Sequence, residues 1–284
     1  MKWLLCSLCL FSHFLLPANE QRPVLRALVA CDTFSQNILS GSKADIFRIH
    51  KSLDAISSQL HIKLQLTTLT GSKLNSHNVS HWLRSIPQAT QDIVFFYYSG
   101  HGTRQLYDQG PWPTLIFPKK KNRFPQMYQG SSVHKYLQKR KARLSIIFFD
   151  CCNGMPSRRP SNLLVRAFDP ILTKKPALPG LRTLFLETGG IITASAASPG
   201  ELATTFIRGR LTGGVFTTGF IFALQQLAKT PQVSWTDVMQ STKSFSANIT
   251  HGDQHPFYDI LKSPPQKRPS IVSFKTSTIS FLNY

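Results

Sequence analysis

Five short runs of the chain have strand length and are rich in apolar, β-branched or aromatic residues: Val24 to Cys31, Lys63 to Thr68, Asp92 to Tyr98, Leu144 to Phe149 and Gly190 to Ala194. A strand with one face in water alternates apolar and polar residues. A strand with little alternation is covered on both faces, as in a parallel sheet between two helical layers. The intervening segments carry helical spacing: Ile46, Ile49, Leu53 and Ile56 within Asp45 to Leu60; Val79, Leu83 and Ile86 within Ser76 to Ile86; and a third such stretch from Gly214 to Leu227. Strands alternating with helices imply an α/β sandwich. The chain has 284 residues, 42% of them hydrophobic and 20 of them Phe, enough for one large domain or two small ones and too apolar for a disordered chain.

The ends and some loops have another composition. Lys2 and the apolar run Trp3 to Leu16, broken at Pro17, read as an export signal over residues 1–20, or as an anchor where it is not removed. The expected location is therefore exported: periplasmic, secreted or bound to the envelope. Residues 155–182 hold five prolines and are rich in basic side chains, among them Arg158, Arg159, Lys174 and Lys175, the composition of a linker. The run Lys119 to Arg123 is a second basic loop, and Lys139 to Arg143 reads as a basic helix end, where cations suit the dipole. The tail from Ser263 reads as a final strand or an extension. Beyond the leader three cysteines remain, Cys31, Cys151 and Cys152, so no disulfide framework is written here. The formal charge of +20 suits an anionic surface or polyanion and disfavours self-association, which argues for a monomer. No aromatic-interleaved platform of the nucleic-acid-binding kind accompanies the basic runs.

Two of the apolar runs end in reactive residues flanked by glycine: Tyr98-Ser99-Gly100-His101-Gly102 and Asp150-Cys151-Cys152-Asn153-Gly154. Ligands of open α/β sheets bind at the carboxyl edge of the strands. An imidazole and a thiol delivered to that edge are the parts of a Cys-His hydrolase. His101 stands 51 residues before Cys152, and the caspase signature Gln-Ala-Cys-x-Gly has its His about 50 residues upstream. The two motifs together resemble those of the caspase superfamily, and in particular the bacterial metacaspase and paracaspase kind, with Asp150 in place of the Gln. The resemblance spans roughly residues 24–262. It divides the chain into a large-subunit-like part (21–154), the linker (155–182), a small-subunit-like part (183–262) and an extension (263–284).

The resemblance implies a caspase-like αβα sandwich with a mostly parallel central sheet, and a cysteine endopeptidase acting on protein or peptide substrates. Cys152 would attack as a thiolate, its pKa lowered by a nearby imidazolium and a following helix N-terminus. His101 would protonate the substrate and then activate water. The amides of Gly102 and Cys152 would form the oxyanion hole, Gly102 letting the backbone approach the substrate. Asp150 and Asp45 would form an acidic pocket for Arg or Lys on the amino side of the cleaved bond. Asp150 also suits a turn cap, and Cys151 a small buried hydrophobe. The motif departs from the metacaspase pattern Cys-His-Ser-Gly, and Asp108 is the only carboxylate between His101 and Asp150. Calcium takes about 6 to 8 oxygen ligands, so no metal and no cofactor are expected. A catalytically silent binding module, and a caspase-like peptidase that cuts after Asp or Asn, are the alternatives.

Overall fold

The computed structural model describes residues 22–105, 108, 110–118, 124–155, 162–163, 170–174, 177–208 and 211–262. The leader 1–20, the basic run 119–123, the linker residues Arg158, Arg159 and Lys175, and the extension 263–284 lie outside the described residues.

The first half runs β1 (Val24–Cys31), α1 (Leu39–Leu60), β2 (Lys63–Thr70), α2 (Ser76–Ser85), β3 (Ile93–Ser99), β4 (His101–Thr103), β5 (Thr114–Phe117), β6 (Gln126–Gln129), α3 (Gly130–Arg140) and β7 (Leu144–Asp150). The second half runs β8 (Asn162–Leu163), the single turn α4 (Gly180–Arg182) continuing into a π-helical turn (Thr183–Glu187), β9 (Gly190–Ser195), β10 (Thr205–Arg208), β11 (Leu211–Gly214), α5 (Val215–Leu227), α6 (Trp235–Ile249) and β12 (Phe257–Lys262). The central sheet has the order β12-β9-β7-β3-β1-β2. Every pairing in it is parallel except β12 on β9. Two small sheets, β11-β10-β8 and β4-β5-β6, are attached to it. The chain is thus a mostly parallel αβα sandwich.

Near-continuous hydrophobicity in β1, β3 and β7 follows from burial on both faces. Phe95, Tyr97, Ile146 and Phe148 enter one core with α1, α5 and α6. Phe96, Tyr98, Ile147 and Phe149 enter the other with α2 and α3. α1 begins at Leu39, before the first apolar position expected of it. Its first turns are buried by smallness: a Cβ on Gly41 would meet Thr205 Cγ2 at 2.8 Å. α6 is set by a capping box between Ser234 and Asp237, which the apolar periodicity alone did not reveal. The last strand among the described residues is β12, which ends at Lys262. The basic run after α3 ends that helix, with Lys141 left-handed at its C-cap. Arg143 from the same run donates to the carbonyls of Leu186 and Thr188 at 2.9 and 3.0 Å, pinning the π-turn. Among the described residues no helix is long and apolar enough to cross a membrane.

Candidate active site

Parallel register brings the two motifs together. β3 and β7 are neighbours with Ser99 opposite Asp150, and the Gly100 amide donates to the Asp150 carbonyl at 3.2 Å. His101 and Cys152 each lie two residues beyond that last pair, so they leave the same edge side by side. The turn carrying His101 is fixed by Tyr98, whose buried hydroxyl donates to the His101 carbonyl (2.7 Å) and reaches the Ile116 carbonyl (2.8 Å). A Cβ on Gly102 would collide with the Cys152 carbonyl oxygen and the Cys151 side chain. The glycine is therefore demanded by the cysteine turn packed against it, whereas the sequence had suggested the approach of substrate. Cys151 itself is buried in the α2/α3 core.

The imidazole of His101 hydrogen-bonds Asn37, Nε2 to Oδ1 at 3.3 Å. With Oδ1 as acceptor, Nε2 carries the proton and Nδ1 keeps its lone pair. Asn37 lies in the loop between β1 and α1. That loop is shaped by Asp32, whose carboxylate accepts from the amides of Phe34 (2.9 Å) and Ser35 (3.1 Å) and from the Ser35 hydroxyl (2.6 Å). The sequence reading passed over both residues. The Asp-x-x-Ser spacing at Asp32 was the one local signal of a built turn.

The thiol of Cys152 lies against the backbone of residue 203. The Ala203 amide donates to Sγ at 3.4 Å, and Sγ stands 3.8 Å from the Ala203 carbonyl. The expected lowering of its pKa is not found. Burial pushes the thiol up, the Ala203 amide counters part of this, and the Asp150 charge adds to the rise. Of the expected helix N-terminus, the described residues directly after Cys152 show none: Asn153, Gly154 and Met155 are not helical. Instead the Asn153 amide donates to the Glu201 carbonyl (3.0 Å) and the Gly200 amide to the Asn153 carbonyl (2.8 Å), which ties the cysteine turn to residues 198–203. Glu201 is held in turn by His255, Nδ1 to Oε1 at 3.0 Å. The three described thiols, Cys31, Cys151 and Cys152, are all free.

Asp45 and Asp150 meet beneath this turn, at the N-terminus of α5. The Gly214 amide donates to Asp45 Oδ1 (3.0 Å) and Oδ2 (3.2 Å), and the Thr217 amide and hydroxyl donate to Asp150 Oδ2 (3.2 and 2.6 Å). The two carboxylates thus cap α5 from α1 and β7, where the helix dipole favours negative charge. Asp150 caps this distant helix, not the turn after its own strand. Ser99 Oγ donates to Asp45 Oδ2 (2.9 Å), and Tyr97 links to the Thr217 hydroxyl (2.6 Å). Arg48 Nη1 approaches Asp45 Oδ1 at 3.8 Å and donates to the Thr212 carbonyl at 2.6 Å. Among the described residues nothing donates to Asp150 Oδ1. Burial raises Asp45 to about 6, with Arg48 opposing the rise. Burial, and then the charge of Asp45, raise Asp150 to about 7. Asp108 serves its own loop, accepting from the Gln105 amide at 2.9 Å. A cleft of about 440 Å³ opens over the β5–β6 hairpin, lined by Thr114, Met127 and Tyr128 and by none of His101, Cys152, Asp45 and Asp150.

The profile of the caspase domain family matches residues 25–263 of this chain. Among solved structures the chain is similar to caspase-1 from Spodoptera frugiperda, at 12% identity and a TM-score of 0.52 over 85% of this chain and 89% of that one. It is also similar to a protein from Geobacter sulfurreducens, at 13% identity and a TM-score of 0.48 over 87% of this chain and 98% of that one. At 12% identity the likeness to the Spodoptera caspase-1 is one of fold. No curated protein sequence matches the chain.

Proposed function

The chain belongs to the caspase-domain family, and on that premise we propose that it is an exported cysteine endopeptidase cleaving proteins after Arg and Lys, with Cys152 as nucleophile and His101 as its base. The observation that supports this most is the register of β3 on β7, in which Ser99 pairs with Asp150, so the turns carrying His101 and Cys152 leave neighbouring strands at the edge where sheet enzymes bind their ligands.

With its pKa raised by burial, Cys152 rests as a thiol, so the nucleophile is made on demand. His101 Nδ1 takes the thiol proton as sulfur attacks the scissile carbonyl. The C–N bond breaks, and the proton passes to the leaving amine. Water then attacks the thioester, giving its proton to His101, and the thiol leaves with that proton. The amides of Gly102 and Cys152 are proposed to hold the oxyanion. Residues 202–204 have to move off the sulfur before a peptide can occupy their place.

The preference for a basic side chain rests on Asp150: a carboxylate only 6% exposed, with one oxygen taking both Thr217 bonds and the other without a donor among the described residues. Such a group calls for a cation, and the second carboxylate beside it disfavours an acidic substrate residue. Of the linker candidates Arg158, Lys174 and Arg182, self-cleavage is proposed at Arg158, since Lys174 is paired with Asp54 at 3.0 Å. Arg182 sits in a helical turn, whereas proteases take extended chain, and Pro160 follows Arg159. N-terminal sequencing of the processed product should begin at Arg159, and a Cys152→Ala protein should stay whole.

The functional test is hydrolysis of fluorogenic peptides ending in Arg, Lys, Asp or Asn, by wild type and Cys152→Ala, with EDTA or calcium. Cleavage after Arg and Lys, lost in the variant and indifferent to EDTA, is expected. No cleavage of any peptide, even after limited proteolysis of residues 155–182, would favour a silent binding module, a reading supported by the backbone that covers the sulfur. Salt-sensitive retention on a polyanion column, unchanged in Cys152→Ala, would test the anionic partner proposed from the +20 charge.

A further inference from the structure

Arg48 is among the largest fully buried side chains of the protein, at 2% exposure. It stands one helical turn after Asp45 on α1, so its guanidinium returns to the same face. Among the described residues two of its interactions lie there. It stands opposite Asp45 Oδ1 at 3.8 Å, and it donates to the Thr212 carbonyl of β11 at 2.6 Å. The residues after Thr212 lie directly on the carboxylates: a Cβ on Gly213 would meet Asp45 Oδ1 and Arg48, and one on Gly214 would meet the Asp150 carboxylate. Gly213 also has φ +139, a conformation side chains rarely adopt. β11 therefore crosses the acid pair at contact distance, and Arg48 fastens it there.

The two carboxylates end up unequal. Both oxygens of Asp45 are engaged, by Gly214, Ser99 and Arg48. Asp150 uses one oxygen only, on Thr217. One internal cation is thus shared out to one carboxylate of two. From this we infer that Arg48 is a specificity-determining residue of the primary pocket: a resident cation that occupies Asp45, leaves Asp150 as the single anchor for a substrate guanidinium or ammonium, and holds β11 over the pair. The inference rests on the proposed basic preference and adds to it. Affinity for a basic side chain is set below what two carboxylates could give. Arg gains little over Lys, because its planar fork finds one carboxylate oxygen rather than two carboxylates to span. Burial of both acids fits a pocket whose charge is balanced internally until a ligand enters.

Benzamidine is the probe, titrated by calorimetry into the Cys152→Ala protein and into the same protein carrying Arg48→Gln, Arg48→Lys or Asp150→Asn. Gln keeps an N–H for the Thr212 carbonyl while removing the charge, and Lys keeps the charge. Arg48→Gln should bind benzamidine about tenfold more tightly, as expected for one extra charge-assisted hydrogen bond. Arg48→Lys should stay near the parent, and Asp150→Asn should lose binding. Equal affinity of the parent and Arg48→Gln, both binding, would overturn the role of Arg48 while leaving the basic pocket standing. No binding by any variant at any pH would overturn the pocket, and the inference with it. Should Arg48→Gln not fold, proton release by the parent on binding benzamidine at pH 5, where both carboxyls start protonated, decides the matter. Release of about one proton supports a single free carboxylate, and release of about two refutes it.

Discussion

Asp150→Asn should strengthen the fold while abolishing cleavage after basic residues, and the gain should depend on pH. In the folded protein Asp150 is raised from 3.8 to about 7 by burial and by Asp45. Below pH 4 the group is protonated in both folded and unfolded chains, and its contribution is fully present. As pH rises from about 4 to 7 the unfolded chain ionises while the folded one resists, so stability is lost at up to about 1.4 kcal/mol per pH unit. The interval from 3.8 to about 7 sets the loss at about 4 kcal/mol, and relaxation of the site brings it nearer 2 to 4 kcal/mol. Asparagine has nothing to ionise, nearly the same shape, and an oxygen for the Thr217 donors. The variant should match wild type near pH 4 and exceed it at pH 8, by about 10 °C in Tm for a chain of this size. Asp45, freed of its like-charged neighbour, moves the difference the same way. Thermal melts of both proteins at pH 4, 6 and 8 test this. A Tm difference that does not change with pH, or a variant weaker at pH 8, would refute the buried-carboxylate argument.

Other outcomes follow from the same geometry. Asn37→Ala removes the partner of His101 Nε2 and should lower kcat about tenfold with KM unchanged, as one lost hydrogen bond implies. Asn37→Asp should instead restore kcat and move the acid limb of its pH profile upward, since a carboxylate favours the imidazolium; an unchanged profile in both would remove Asn37 from the site. Gly102→Ala drives a Cβ into the cysteine turn and should cost about 1 to 3 kcal/mol of stability together with all peptidase activity. Gly110→Ala, where the nearest atom is Ser131 Cβ at 3.9 Å, is the control and should be neutral in both melts and hydrolysis.

The strands were legible in the sequence because a buried parallel strand leaves a local mark. Val24 to Cys31 is apolar whatever lies on either side of it, and it is β1 to the residue. His101 and Cys152 were legible for a related reason: each follows a buried strand directly, flanked by glycine. Helix starts were less so, since α1 opens with small residues chosen for their fit to β10 and β11. The direction of the Cys152 pKa was not legible at all, because the pieces that decide it come from afar: the Ala203 backbone and the shielding of residues 198–203, 51 positions on. Asn37 reaches His101 across 64 positions, and Arg48 reaches Thr212 across 164. What the sequence by itself determined is five of the six strands of the central sheet and the two glycine-flanked motifs that end β3 and β7, all written in runs of adjacent residues. Only the tertiary structure decided which groups surround them: that the thiol is covered, that Asp45 already has its cation, and that Asp150 keeps one oxygen open. Burial and charge pairing are properties of neighbours in space, and in this chain those neighbours come from α1, β7 and the β10–β11 hairpin.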